Sequence, residues 1–380
     1  MSEQKKKYDM NSPEAKALME EITHGTFMKE GTMVAFPTCF PGASIPIVAD
    51  ESHITALDAT PEGIIYGGTS GHRSHVFVAM FHGATGIVFD LKAIEGATDC
   101  AAVCCGKEKV LACVNGWQDG GRIVATKLQP LPYDCIQEWG FERPSFQDYG
   151  PAFRGETIIH AVAEPASDTV IGITSGHLFS ADPASSRIET LGEVPGSGRI
   201  ARTASGSIVG LDGDSHLWSY APRTRSLRRR AYVLPDGNWG KAPLLWARER
   251  QTGLLYTADG EGGLFSFDEG KGFSRPLGRT ALKPVGPMAV TFDGRVFGFC
   301  GPELAKMFCY DPAAGQVSNL GVALSVIEHR RYGYVFGDAV TGRDGQIIFG
   351  ENDNLGHLWL YFPKIKSAGQ GRPDRPAHVL

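Results

Sequence analysis

The chain has 380 residues, 42% hydrophobic and 21% charged, with a formal net charge of −5. That is enough apolar material for a large core, and the mildly acidic balance with no long basic stripe argues against a nucleic-acid partner. No run approaches the ~18 apolar residues of a membrane span, the N-terminal segment MSEQKKKYDMNSPEAKALMEEI has no apolar signal core, and eight cysteines are too few to frame a domain of this size. A reduced cytoplasmic protein with no membrane contact is the expectation.

Taken in chain order, residues 11–23 read as a short helix, with Ser12 placed to cap it and Pro13 at its first position. The segment Gly31–Thr38 (GTMVAFPT) alternates like a strand. One unit then recurs: an apolar strand, a turn, a strand ending in small residues, a polar loop, and a strand with aromatics. Its second strands start at Ile64, Val110, Val170, Ile208, Leu254, Val296 and Ile347, 38 to 60 residues apart. Its third strands read HVFVAMF, RIVATKL, HLFSADP, HLWSYAP, GLFSFDE, MFCYDP and HLWLYFP, and turn signals such as Phe-Asp-Gly at 292–294 separate first from second strands. Seven such units predict an all-β, seven-bladed propeller of four-stranded antiparallel blades. The last unit lacks a fourth strand, and the segment from residue 31 is expected to supply it and so close the ring. The chain then divides into an N-terminal extension at 1–30, a propeller at 31–363 and a tail at 364–380. The basic cluster Arg223–Arg230 reads as the solvated face of a surface strand.

Functional residues are expected where loops joining second to third strands meet those joining successive blades. A long stretch, 129–157, falls there and carries Tyr133, Trp139, Tyr149 and Arg154. His75, His177, His216 and His357 share one repeat position, just before the third strand, which points to a structural role. Histidines outside that pattern, His53, His72, His82, His160 and His329, are better candidates for chemistry. His53 enters the first strand of blade 1, and His72 follows 19 residues later in a loop at the same end. The same face offers cations (Arg73, Arg199, Lys241, Arg331) and aromatics (Trp117, Trp239, Tyr332, Tyr334). Imidazoles, guanidiniums and flat rings together suit an anionic sugar. Cys100, Cys104 and Cys113 lack a common zinc spacing, so no metal or other cofactor is expected.

The phrases YGGTSG (66–71), ITSGHLFSADP (173–183), RIARTASGSIVGLDGDSHLWSYAP (199–222) and GDAVTGRDGQIIFGENDNLGHLWLYFP (337–363) resemble the seven-bladed propellers among polysaccharide lyases and their relatives, the ulvan lyases, rhamnose–glucuronate lyases and some α-L-rhamnosidases. The resemblance spans roughly residues 50–363. It implies β-elimination on a uronate-containing oligosaccharide by two histidines, a tyrosine and an arginine. His53 and His72 match the histidine pair in order and spacing. Trp117 stands where the tyrosine is expected, which leaves Tyr149 or Tyr133 for that role and Arg154 for the carboxylate clamp. His160, Arg199, Trp117, Trp239, Arg331 and Tyr332 would line the substrate.

Two other classes stay open at this point. Glycoside hydrolysis needs paired carboxylates, and Asp212, Asp259, Glu261, Glu351 and Asp353 lie on the loops. A propeller can also be a non-catalytic binding scaffold, or hold a metal-dependent enzyme such as a lactonase or isomerase.

Overall fold

The computed structural model describes residues 9, 11–23, 30–38, 46–82, 85–128, 144–213, 215–240, 243–325 and 332–364. They form seven antiparallel sheets of four strands, one of which carries an extra two-residue pairing. Apart from the helix Pro13–Thr23 and a single turn at Ala49–Glu51, the described structure is strand and loop. This is the seven-bladed β-propeller expected from the repeats. The second strands, among them Ile65–Ser70, Thr169–Thr174 and Ile347–Glu351, fall at the anchors read from the sequence. The helix starts as expected too: Ser12 Oγ accepts the backbone N–H of Ala15 at 3.1 Å.

The core is divided among the seven gaps between neighbouring blades. Each gap holds one apolar cluster, such as Phe297, Phe299, Phe349, Trp359 and Tyr361 between blades 6 and 7, or Val209, Leu217, Phe265 and Phe267 between blades 4 and 5. The small residues of the second strands follow from this packing. A Cβ added at Gly67 would lie 2.1 Å from the Phe77 ring of the next strand, and one at Gly172 would lie 2.2 Å from Phe179. The glycines of the turns between first and second strands have a different reason: Gly63, Gly294 and Gly345 have φ of 90°, 85° and 84°, which side-chain-bearing residues rarely adopt.

Blade 7 is completed by the N-terminal strand. Gly31–Pro37 runs antiparallel to His357–Pro363, with Gly31 opposite Pro363 and Pro37 opposite His357. Blade 7 thereby has its fourth, outermost strand, like the other six. The segment read as a long loop at 129–157 contains instead the fourth strand of blade 2, Gln147–Pro151. Its short, mixed run gave no periodic signal; residues 129–143 lie outside the described residues.

A buried arginine holds the closing strand's flanks. Arg295, in blade 6, is 2% exposed and pairs with Asp293 at 2.8 Å. It donates to the carbonyl of Lys364 at 2.6 Å and stands 3.6 Å from the Glu30 carboxylate. Lys364 N–H in turn donates to Glu30 O. Breaking a buried ion pair by removing one partner costs about 3–5 kcal/mol. Arg295→Met is therefore expected to lower the urea midpoint by that equivalent, while Arg343→Met, at a solvated pair, leaves it nearly unchanged. Equal midpoints for the two variants would show that closure does not lean on Arg295.

Candidate functional site

Seven inner strands line a central channel, and its two ends differ. A cavity of 760 Å³ opens among the loops joining first to second strands, lined by Asp58, Cys105, His160, Glu164, Arg199, Arg202, Trp246, Arg248, Arg250 and Asp338 among others. That lies within the roughly 300–1,000 Å³ of small-molecule sites. A second cavity of 430 Å³ lies beyond it, lined by Thr55, Asp99, Asn115 and Thr157. Arg199 borders both.

Arg199 enters from the start of blade 4 and crosses the channel. Its guanidinium pairs with Asp338 of blade 7 and donates to the carbonyls of Gly337 at 2.8 Å and Thr55 of blade 1 at 3.2 Å. Asp338 also accepts the N–H of Leu57 at 2.8 Å, stitching blade 7 to blade 1.

Asp58 is the unusual group. In the ladders it pairs with Tyr66. At the same place the other inner strands carry Cys104, Val162, Ala201, Ala247, Ala289 and Val340. Only blade 1 puts a charge there. Burial pushes the Asp58 pKa up to about 6, against the backbone N–H groups of Cys105 and Ala59 that pull it down, and the Asp338 charge adds to the rise. Those N–H groups donate at 2.8 Å each.

His160 lies on the inner strand of blade 3. Its Nδ1 accepts the backbone N–H of Ile200 at 3.3 Å, which leaves the proton on Nε2. Burial, then the Arg199 charge, holds its pKa well below the usual imidazole range. His160 is thus a neutral donor in the channel wall. On the next two blades, Arg202 and Arg248 end the inner strands of blades 4 and 5, with Arg250 just beyond. The Trp246 indole N–H donates to Arg199 O at 3.0 Å.

The expected loop face gathers fewer of the candidates. His53 starts the inner strand of blade 1, half-buried, and His72 lies exposed in the turn after the second strand; neither lines a described cavity. Arg154 is exposed at that same end. Trp117 packs under Arg122, whose guanidinium sits 5.5 Å from its ring centroid. Tyr149 is on the outer strand of blade 2, where its hydroxyl donates to Pro183 O at 3.1 Å and accepts from Lys109 Nζ at 3.2 Å. That strand carries it away from the channel. Trp239 is a core residue, 3% exposed, packed on Phe265 and Phe273; its apolar bulk fills the gap between blades 4 and 5 rather than a ligand platform. Tyr332 forms an isolated bridge with Leu324, and Arg331, Lys241, Tyr133, Trp139 and His329 lie outside the described residues. Of the residues read as site-forming, the structure brings together His160 and Arg199. Asp58, Arg202, Arg248, Arg250 and Asp338 were missed. The available signal was a charge at a repeat position that is otherwise uncharged.

The four repeat-position histidines are each held locally. His75 bridges Asp90 at 3.0 Å and Glu51 at 2.8 Å, and although burial disfavours its charge, those carboxylates raise its pKa. His177 meets Glu156 at 2.9 Å, His216 meets Ser215 at 2.8 Å, and His357 stands 3.4 Å from Glu351. The carboxylates considered for hydrolysis are dispersed in the same way. Asp212 pairs with Arg229, Glu261 with Lys283, and Glu351 accepts from Trp359. Among the described residues no three His, Cys, Asp or Glu side chains gather as a metal site.

No protein-family model matches this chain, and no curated protein does. Many solved structures do. Virginiamycin B lyase from Staphylococcus aureus superposes with a TM-score of 0.60 at 6% identity, over 88% of this chain and 99% of that one. A chain of a mitotic checkpoint complex gives 0.55 at 12% identity, over 88% and 91%. What the chain shares with them is the fold. Polysaccharide lyases and rhamnosidases do not appear in these two matches.

The raised pKa of Asp58 fixes a stability prediction. The folded state holds this proton more tightly than the unfolded state, so the group's contribution falls as pH rises from about 4 to about 6, by about 3 kcal/mol. The difference in unfolding free energy between wild type and Asp58→Asn should change by that amount across the window, measured by urea titration at each pH. A pH-independent difference would rule out a buried, destabilised carboxylate.

Proposed function

We propose that the protein is a lyase whose reaction takes place in the wide end of the central channel, on a small substrate that carries a carboxylate. The single observation behind this reading is Asp58: an ionisable carboxyl, tuned to about 6 by burial, at a position left uncharged in the other six blades, in a cavity shared with arginines and a neutral imidazole. A uronate-ended oligosaccharide, the class implied by the sequence resemblance, has the required chemistry. The neighbour named virginiamycin B lyase adds that a protein of this fold bears the name lyase.

The ionised Asp58 takes the proton from the carbon next to the substrate carboxylate. Arg250 is placed to pair with that carboxylate, lowering the cost of the negative charge that develops. Its guanidinium donates to Thr341 O at 2.5 Å, which orients it. His160, neutral and protonated on Nε2, donates to the enediolate oxygen without becoming charged. The electron pair then forms the carbon–carbon double bond as the bond to the leaving oxygen breaks, and protonated Asp58 returns its proton to that oxygen. A carboxyl with a pKa near 6 suits both transfers, because general catalysis is most effective when the pKa lies near the working pH. This reading moves the acid–base role from His53 and His72 to Asp58. Tyr149 and Arg154 have no part in it.

Incubation with uronate-ended oligosaccharides is expected to produce the ultraviolet absorbance of a conjugated unsaturated acid. The kcat/KM should rise with pH to a plateau above an apparent pKa of about 6. Asp58→Asn should lose about 10²–10⁴ of the rate, while His53→Ala and His72→Ala stay near wild type. Loss of activity in the two histidine variants, with Asp58→Asn active, would overturn the assignment and restore the loop face.

A further inference from the structure

Two guanidiniums in the channel are left over by this chemistry. Arg202 and Arg248 end the inner strands of adjacent blades, and they occupy the same repeat position: Arg202 pairs with Ile208 and Arg248 with Leu255. Elsewhere that position holds Ala59, Cys105, Ala163, Val290 and Thr341, all uncharged. The two side chains lie close. Arg248 Nε donates to the carbonyl of Arg202 at 3.1 Å, and each is half-buried in the 760 Å³ cavity. Burial and the charge of Arg202 both lower the Arg248 pKa, so the pair is repulsive as it stands.

Carboxylates that could compensate them are committed elsewhere. Asp338 holds Arg199. Glu164, whose pKa the Arg202 charge helps to lower, accepts the N–H of Ser167 at 2.7 Å and its hydroxyl at 2.6 Å. Among the described residues neither guanidinium has a carboxylate ion-pair partner. Two adjacent like charges facing a cavity, at a position that is uncharged in five blades, gain stability from an anion held between them.

We propose that Arg202 and Arg248 form a subsite for a phosphate monoester group, so that the channel's ligand carries a phosphate as well as the carboxylate. A carboxylate would be satisfied by one bidentate guanidinium, whereas a tetrahedral oxyanion has oxygens enough for two. A phosphate monoester also carries about −1.5 to −2 charges at neutral pH, which matches two guanidiniums; a sulfate ester carries one charge fewer. The anion-binding part stands by itself, and the naming of the substrate rests on the channel chemistry proposed above.

Calorimetric titration of the full-length chain with methyl phosphate, methyl sulfate and acetate tests it. Methyl phosphate is expected to bind saturably at one site, more tightly than the other two, and more tightly as pH rises through the phosphate's second ionisation. Arg202→Gln and Arg248→Gln should each weaken it about ten-fold or more, and Arg248→Lys should recover part of the loss. Asp58→Asn, which removes a negative charge from the same cavity, should bind methyl phosphate at least as tightly as wild type does while losing the elimination, so a failure of the elimination chemistry and a failure of this subsite give different results. Thermal unfolding of each variant checks that the ring is intact, and Arg248→Lys with Arg202→Gln carry the test if Arg248→Gln does not fold. No saturable binding of methyl phosphate, or equal binding in the wild type and both glutamine variants, overturns the subsite. Equal binding of methyl sulfate overturns the phosphate assignment.

Discussion

The ring closes because the strand Gly31–Pro37 pairs with the last strand of the chain's seventh repeat, His357–Pro363. Each blade is a complete hydrogen-bonded sheet, but no ladder runs from blade to blade. Neighbouring blades are held by apolar clusters in the gaps and by a few side-chain-to-backbone bonds near the axis, such as Asn115 to Ile158 and Thr341 to Val290. Blade 7 has a full set of strands only when Gly31–Pro37 lies along His357–Pro363. Without that pairing an apolar strand with Trp359 and Tyr361 would present a bare edge. The buried Arg295 with Asp293, beside Glu30 and Lys364, sits at the place where this strand enters and leaves the ring.

Closure has a chemical consequence, because the groups in the channel come from opposite arcs. Arg199 reaches from blade 4 to blades 7 and 1, and it brings its charge beside His160 while Asp338 neutralises part of it. The acids Asp58 and Glu164 belong to blades 1 and 3, and the guanidiniums Arg202, Arg248 and Arg250 to blades 4 and 5. Two of these placements oppose stability: a carboxyl deprived of water and a pair of adjacent guanidiniums. Local conflict of this kind in an otherwise consistent fold is expected where a protein meets its ligand.

The fold was legible because each blade repeats one pattern seven times. Apolar second strands, glycines under the aromatic of the third strand, and Gly-containing turns are local signals, and each has a packing reason that acts within a few residues. The closing strand was legible as well, since the last unit ended one strand short while Gly31–Thr38 had no other partner. The channel site was largely hidden. In ITALDATPEG nothing marks Asp58 as pointing into a channel rather than to solvent; that depends on the register with Tyr66 and on a bulge between Ile54 and Ala56. Arg199 and Asp338 are 139 residues apart, so their pairing is a property of the ring. His160 was found because it broke the pattern of its repeat. Trp239 and Tyr149 were misplaced because an aromatic in a loop-like segment can equally fill a gap between blades or tie an outer strand to its neighbour.

Residue type was a poorer guide than position. Histidine drew attention because of its neutral-range pKa, yet four of the histidines sit in equivalent places and each is tied to a neighbouring carboxylate or hydroxyl. Asp58, Arg202 and Arg248 are ordinary residue types made exceptional by what the other blades carry there. A ring of near-equivalent blades supplies six internal comparisons for every position, and a charge that appears in one or two of them has no role in the packing that all seven share. Because the backbone of the channel is close to seven-fold repeated, its chemical asymmetry comes from side chains alone. Arg199 and Arg250 reach from blades 4 and 5 to carbonyls of blades 7 and 1, so the guanidiniums meet Asp58 and Asp338 across the channel and give it a charged side that the repeated backbone alone does not have.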